Sequence, residues 1–321
     1  MPSEQSYTLT VDELAQALNR DHDSVLTDLD AESLVRLPSG KWGLSPGRVR
    51  DYLAGIGARY PFQVIANINL KGGTGKTTTT ISAATRATQY GYRACVVDLD
   101  AQANATLAFD RVPDEDDPVF CDIWQHPKDM VMGTIRPVSE FLYILPSSLE
   151  NSLLDVSLVN PGFQKKAVRG VCDVLRENGF ELVLIDCPPS LGTAVISAIC
   201  AADTIVIPVC CDEFSLKGLE FTLKETDSIC DAFQLDKPDI HILFTQVDKR
   251  LNISDTAIQT ISSRYPEYLI PFPIRVCSLF SKLLAKKKTV FALTGSNRAK
   301  SDYDRCVRYI LQLDHLSATG G

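Results

Sequence analysis

Residues 67–80 read NINLKGGTGKTTTT, and the fold of the chain follows from them. An apolar run at 62–66, FQVIA, precedes them and has the character of a buried strand. The segment 77–89 that follows has the character of a helix. Strand, glycine-rich loop and helix in that order gather backbone N–H groups and a helix N-terminus around one point, which makes an anion site. A lysine followed by a hydroxyl, Lys76-Thr77, turns that into a polyphosphate–Mg²⁺ site. The strict spacing G-x-x-x-x-G-K-[ST] is not met, because its first glycine would fall on Leu70. A second lysine, Lys71, stands next to that position, followed by Gly72 and Gly73.

Beyond the loop, apolar runs and helical patterns alternate. Strands are expected at 93–99, 140–146, 181–186, 204–209 and 240–245, with an irregular or edge strand at 268–274 because of Pro271 and Pro273. Helices are expected at 163–178, 193–201, 216–233, 253–264 and 301–313, and a frayed end at 317–321. Apolar strands without alternation, each followed by a helix, predict an α/β fold: a doubly wound, mostly parallel sheet with helices on both faces. Ligands of such sheets bind at the carboxyl ends of the strands.

Residues 1–57 differ in character. Thr10-Val-Asp-Glu13 is a capping-box pattern with Leu14, Ala17 and Leu18 at helical spacing behind it. A second short helix is expected near 24–29, and a third from Ser45-Pro46, with proline at its first position. This reads as a small helical, helix-turn-helix-like module, either DNA-reading or dimerising, ahead of an ATPase-sized domain at 58–321.

The 321 residues carry a formal net charge of −8, which excludes a wholesale basic coat. Between 275 and 308, however, nine basic residues face two acids, a local basic surface compatible with DNA. No long apolar run predicts a membrane span, and the N-terminal residues lack a signal-peptide pattern. The ten cysteines are scattered without a C-x-x-C, which predicts reduced thiols in a cytoplasmic protein.

Two further strand ends carry chemistry. In Val96-Val-Asp98-Leu-Asp100-Ala-Gln102 two carboxylates point to one side of an extended chain, suited to a metal and an attacking water. In Leu182-Val-Leu-Ile-Asp186-Cys-Pro-Pro-Ser190 an apolar strand ends in an aspartate placed to hold Mg²⁺ through water, with a proline-stiffened exit. Lys76 is expected on the β- and γ-phosphates, Thr77 on the metal and Thr78 on a further phosphate.

KGGTGKTTTT, VVDLDAQANAT, LVLIDCPPSLG and IVIPVCCDEFSLKGL, in this order over roughly 62–312, resemble the ParA/Soj/MinD family of deviant-Walker P-loop ATPases. The resemblance implies weak, partner-stimulated ATP hydrolysis in an ATP-sandwich homodimer. It makes Lys71 the lysine that reaches across to the other subunit's nucleotide and Gly72 the point of closest approach. It makes Asp100 the residue that positions the attacking water, with Asp98 and Asp186 supporting the metal. Gly73, Thr74, Gly75, Lys76, Thr77 and Thr78 form the phosphate cradle. Pro208, Thr245 and Asp248 resemble adenine-side elements. Arg275 and Arg298 match positions of nonspecific DNA contact, and Lys286, Lys287, Lys288 and Lys300 extend that patch. The sequence departs from the family pattern at Ala101 and Ala103, where Pro and Gly are usual, at Thr74 for Val and at Cys210 for Gln.

The implied role is DNA segregation. An ATP-bound dimer on the nucleoid would be released when a ParB-like partner stimulates hydrolysis, so that plasmid or chromosome cargo moves. Two alternatives stand beside it: positioning of a protein cargo, such as a chemoreceptor array or carboxysome, and an ATP-switched repressor. A metal-cluster carrier of the nitrogenase iron-protein type lacks the cysteine spacing it needs.

Overall fold

The computed structural model describes residues 7–212, 215–248, 252–293, 295 and 297–313. The expected frayed end at 317–321 lies outside them.

The chain opens with β1 (Leu9–Thr10), α1 (Val11–Leu18), α2 (His22–Thr27), β2 (Leu34–Arg36), β3 (Trp42–Leu44) and α3 (Pro46–Gly55). The capping box forms as the sequence indicates. The Thr10 hydroxyl accepts from the Glu13 N–H at 3.1 Å, and a Glu13 oxygen accepts from the Thr10 N–H at 3.1 Å. The three strands were not anticipated. They pair antiparallel in the order β1-β3-β2, so a small sheet accompanies the helix pair. At two or three residues each, they are too short to show a period.

The main body runs β4 (Gln63–Asn67), α4 (Lys76–Gln89), β5 (Ala94–Asp98), α5 (Asn104–Ala108), α6 (Phe120–Ile123), α7 (Pro127–Thr134), β6 (Arg136–Pro137), β7 (Leu142–Leu145), α8 (Leu154–Ser157) and α9 (Pro161–Glu177). It continues with β8 (Leu182–Asp186), α10 (Thr193–Ala201), β9 (Thr204–Cys210), α11 (Ser215–Phe233), β10 (Asp239–Thr245), α12 (Asn252–Arg264), α13 (Leu279–Leu284) and α14 (Arg298–Ile310). Seven strands form one sheet in the order β10-β9-β4-β8-β5-β7-β6, parallel except for β6. The expected strand at 268–274 reduces to two isolated parallel bridges, Ile242 with Leu269 and Val247 with Arg275. Pro271 and Pro273 have no N–H to donate, so a continuous ladder cannot form.

Successive residues of β4 bury on opposite faces, which is why the strand reads as unbroken apolar sequence. Ile65 joins a core with α4, α14 and the N-terminal module, while Val64 and Ala66 join one with α9, α10 and α11. Residues 7–57 therefore share a core with the sheet: Leu9, Leu14, Leu44 and Val49 pack in the same cluster as Tyr90 and Tyr303. Polar contacts reinforce the join. The Arg50 guanidinium takes both Glu181 oxygens, at 3.0 and 2.6 Å, and also bonds the Gly91 carbonyl at 2.9 Å. Gly91, at φ +90°, lies so close that an added Cβ would stand 2.8 Å from the Arg50 Cα.

Candidate nucleotide site

The parallel register brings three polar residues side by side at the carboxyl edge of the sheet: Asn67 of β4 pairs with Asp186 of β8, and Asp98 of β5 pairs with the same Asp186. All three are buried. Directly above β4 the chain turns through 68–75 into α4. Gly73 and Gly75 sit at φ +74° and +91°, left-handed conformations that cost a side chain energy. An added Cβ at Gly72 or Gly73 would meet nothing within 4 Å, so the loop borders open space.

The loop is braced from β9 and β10. Asn69 Nδ2 donates to the Pro208 carbonyl at 2.7 Å, and Asn69 Oδ1 accepts from the Lys71 N–H at 2.9 Å. Thr245 Oγ1 donates to the Thr74 carbonyl and Gln246 Nε2 to the Gly73 carbonyl, both at 2.7 Å. Pinning carbonyls outward leaves the loop's N–H groups available to an anion.

The two lysines point differently. Lys76 is buried, with its ammonium 3.2 Å from the Lys71 carbonyl, and desolvation lowers its pKa against the pull of Asp186. A buried ammonium bonded to one carbonyl retains donors for a polyphosphate. Lys71 is half-exposed and its ammonium pairs with the Asp212 carboxylate of the same chain. The other Asp212 oxygen accepts from the Ser215 hydroxyl at 2.8 Å, at the start of α11.

Asp186 is the group expected on the metal side. Its Oδ1 accepts from Thr80 at 3.2 Å, and Thr77 stands beside its carboxylate. Its Oδ2, like Asn67 Oδ1, is enclosed without a partner among the described residues. Burial and then nearby Asp100 push the Asp186 carboxyl up to about 7, against the Thr77 hydroxyl beside it. An orphaned carboxylate oxygen beside a threonine hydroxyl is a donor set that fits Mg²⁺.

Asp98, expected on the metal, is placed otherwise. One oxygen accepts from the Thr106 N–H at 2.9 Å and its hydroxyl at 2.7 Å; the other accepts from the Asp100 N–H at 3.2 Å. Fully enclosed, it anchors the 99–106 loop, and its pKa rises with burial and with Asp186 alongside. The strand ends at Asp98, so the expected extended pairing with Asp100 is replaced by a turn. Asp100 Oδ1 accepts from the Gln102 N–H at 3.0 Å, and its carbonyl accepts from the Ser147 hydroxyl at 2.7 Å. Ala103 takes φ +53°, the left-handed region in which glycine is free of strain. The departure from the family's usual Gly therefore carries a backbone cost of about 1 kcal/mol.

Beside the loop opens a cavity of about 290 Å³ lined by Gly75, Thr78, Thr245 and Gln246 on one side and by 274–277, Phe280, Ser281, Leu284 and Tyr303 on the other. It has the apolar lining a nucleobase prefers. Of the expected adenine-side residues only Thr245 lines it. Pro208 lies within β9 and acts through its carbonyl on Asn69, and Asp248 is not among the lining residues. The 276–284 wall was missed, because its side chains carry no motif.

The expected basic surface is smaller than the sequence implied. Lys300 is buried, its ammonium 2.9 Å from Glu13 and 3.0 Å from the Leu293 carbonyl, and so leaves the surface. Arg275 makes a bidentate pair with buried Asp302. Lys286, Lys287, Lys288 and Arg298 remain exposed.

Comparison with known proteins agrees with this fold. An AAA domain family model matches residues 62–242. The cell division protein PomZ of Myxococcus xanthus is 26% identical over 76% of this chain and 76% of its own length. The chromosome partitioning protein ParA of Caulobacter vibrioides is 26% identical over 67% of this chain and 83% of its own. Among solved structures, an ATP complex of a Cyanothece McdA variant superposes with a TM-score of 0.70 at 19% identity, covering 79% of this chain and 98% of that one. Cobyrinic acid a,c-diamide synthase of Mycobacterium smegmatis, with bound ADP and magnesium, superposes with a TM-score of 0.64 at 25% identity, covering 78% and 94%. No described helix is long and apolar enough to cross a membrane.

Proposed function

The chain belongs to the ParA/Soj/MinD family of P-loop ATPases, and from that premise we propose that it binds ATP and is a DNA-segregation ATPase that works as an ATP-bound homodimer on DNA. The observation that carries the dimer is the divergence of the two loop lysines. Lys76 turns into the cradle, while Lys71 lies half-exposed on its own Asp212. From there it is free to exchange that carboxylate for the phosphates of a second subunit. The edge that would meet the second copy is apolar. Leu149, Leu153, Val156, Val159 and Phe163 are all more than half exposed, and the segment they belong to reaches the catalytic turn through Ser147 and Asn151.

In this reading ATP seats its phosphates on the N–H groups of 72–77 and its base in the cavity walled by 276–284. Thr77 and Asp186 would hold Mg²⁺, which would supply charge neutralisation to the polyphosphate. Asp100 orients a water in line with the γ-phosphorus. The new P–O bond forms as the bridging bond to ADP breaks, and Lys76 and the partner's Lys71 stabilise the oxygens that gain charge. Because hydrolysis needs positioning more than a strong base, withholding one lysine until dimerisation is an effective control.

DNA contact rests on Lys286, Lys287, Lys288 and Arg298, which can neutralise phosphates without reading bases. The N-terminal module does not favour the repressor reading. α2 is flanked by Asp21 and Asp28 and carries Asp23, and Arg20 is spent on Asp28 at 2.7 Å. Such a helix is repelled from a major groove. We place the ATP-bound form on the nucleoid, with a ParB-like adaptor stimulating release. The test is retention of duplexes of unrelated sequence, with ATP against ADP, across a salt series. Binding only with ATP, independent of sequence and falling steeply with salt, is expected; ATP-independent or single-operator binding would overturn the proposal.

A further inference from the structure

The exposed lysines stand on a short turn tied to both ends of the nucleotide site. Three side chains of the base cavity, Phe280, Ser281 and Leu284, belong to α13. The turn that follows is bonded to that helix residue by residue. The N–H groups of Lys286 and Lys288 donate to the Leu283 carbonyl at 2.9 and 3.0 Å, and that of Lys287 donates to the Leu284 carbonyl at 2.9 Å. A shift of α13 therefore carries the turn with it. Lys287 itself is left-handed, at φ +54°, which fixes the direction in which the turn leaves the helix.

The other end of the turn meets the catalytic loop. Lys287 Nζ pairs with Asp110 Oδ1 at 2.5 Å. Asp110 follows α5 closely, and α5 holds Asp98 through Thr106. Lys287, Lys288 and Thr289 also line a small pocket with Ala108 and Phe109 from the end of α5 and Tyr7 from the N-terminal module. The basic turn is thus strung between the wall of the base cavity and the helix that leads out of the Asp98–Asp100 turn.

We propose that nucleotide occupancy sets how Lys286–Lys288 is presented to DNA: the base acts through α13, and the γ-phosphate acts through α5 by releasing Lys287 from Asp110. This deepens the DNA-binding reading above and rests on it. A ligand shifts such an element only as far as it binds one arrangement better than the other. Filling the cavity against Phe280 and Leu284 and engaging Asp100 are two contacts that the nucleotide-free form lacks. The Lys287–Asp110 pair suits a latch of this kind. Both side chains are more than half exposed, so the pair is weak, screened by salt and readily exchanged for a DNA phosphate.

Asp110→Asn tests the release. Asparagine keeps the left-handed backbone of position 110 (φ +56°) and removes the charge. DNA affinity is measured for wild type and variant, without nucleotide and with a non-hydrolysable ATP analogue. The variant is expected to bind about 3–10-fold more tightly without nucleotide, with a salt slope steeper by about 0.9, the worth of one more phosphate contact. With the analogue it should match wild type within about twofold. An equal gain in both states makes Asp110 only a nearby charge, and no gain in either leaves Lys287 unlatched; both overturn the proposal. Amide exchange of 279–290, read without DNA, separates this from the broader reading. Exchange unaltered by the analogue overturns the relay while ATP-dependent DNA binding stands. Altered exchange in a protein that never binds DNA supports the relay and overturns the DNA role.

Discussion

Asp100→Ala is expected to keep ATP bound and to lower its hydrolysis by about 10²-fold or more, the scale of losing a group that acts mainly in the transition state. The binding half of the prediction follows from the division of labour. In the proposed site the phosphates fall to the 72–77 backbone, Lys76 and Thr77, and Asp100 touches none of these: its contacts are with Asp98, Gln102 and Ser147. The catalytic half follows from its preorganisation. The carboxylate is nearly buried, fixed by the Gln102 N–H, and belongs to a turn whose own N–H is tied to enclosed Asp98. A carboxylate so fixed orients a water without reorganising when the reaction starts. Equilibrium binding of a fluorescent ATP analogue, with single-turnover phosphate release, separates the two halves. Lost ATP binding would assign Asp100 to the cradle; unaltered turnover would remove it from catalysis.

Arg86→Ala should be the most damaging single change to stability outside the site, about 3–5 kcal/mol, because it strips a buried carboxylate cluster of its cation. Arg86 lies on the loop helix α4 and is 2% exposed. It bonds Asp304 at 2.6 Å, Gln89 at 2.8 Å and Glu13 at 3.4 Å, and lies over the rings of Tyr90 and Phe291. One guanidinium therefore joins the N-terminal module, the phosphate-loop helix and the last helix. Against the upward push of burial, Arg86 and Lys300 hold the Glu13 carboxyl down to about 2, and Arg86 with Arg308 holds Asp304 below its usual range. Depressed carboxyls contribute stability that is present above the unfolded pKa, near 4, and is lost as pH falls through the folded value. The deficit of the variant should accordingly be largest near neutrality, a fall in Tm of about 5–10 °C. It should narrow as pH falls from roughly 4, where the unfolded chain's carboxyls take up protons, to about 2, where Glu13 is neutralised in the folded wild type as well. Arg86→Lys should recover only part, since a point charge cannot span three acceptors in one plane. Wild-type melting of the alanine variant at pH 7 would show that the cluster does not hold the module to the sheet.

The parallel sheet was legible because each central strand is buried on both faces, so its sequence is an uninterrupted apolar run ending in a polar residue. Lys76, Thr77 and Asp186 were legible because their spacing from glycine or from a strand end is itself the chemistry. Less legible were features set by register and packing. That Asp98 sits opposite Asp186 and spends both oxygens on Thr106 and Asp100 depends on where β5 stops, which local sequence does not encode. Lys300 and Arg275 counted as surface charge in the sequence, yet Glu13, nearly three hundred residues from Lys300, and Asp302 take them inward. The small antiparallel sheet escaped because its strands are shorter than one period. The 276–284 wall escaped because a base pocket asks only for apolar shape. Ala103 did carry a signal, an alanine where the pattern the sequence resembles has glycine, and the structure gives it meaning as a left-handed residue in the turn after Asp98.

The central claim is that one subunit's Lys71 completes the other subunit's site. Lys71→Ala and Asp100→Ala, each expected to be inactive alone, are mixed in equal amounts and assayed for ATP hydrolysis. In a mixed dimer the subunit that retains Asp100 receives Lys71 from its partner, so one site of the two is whole. Random pairing by twofold symmetry then predicts recovery of about a quarter of the wild-type rate. If Lys71 acted within its own subunit, no pairing would assemble a complete site, and a mixture as inactive as its components would contradict the account.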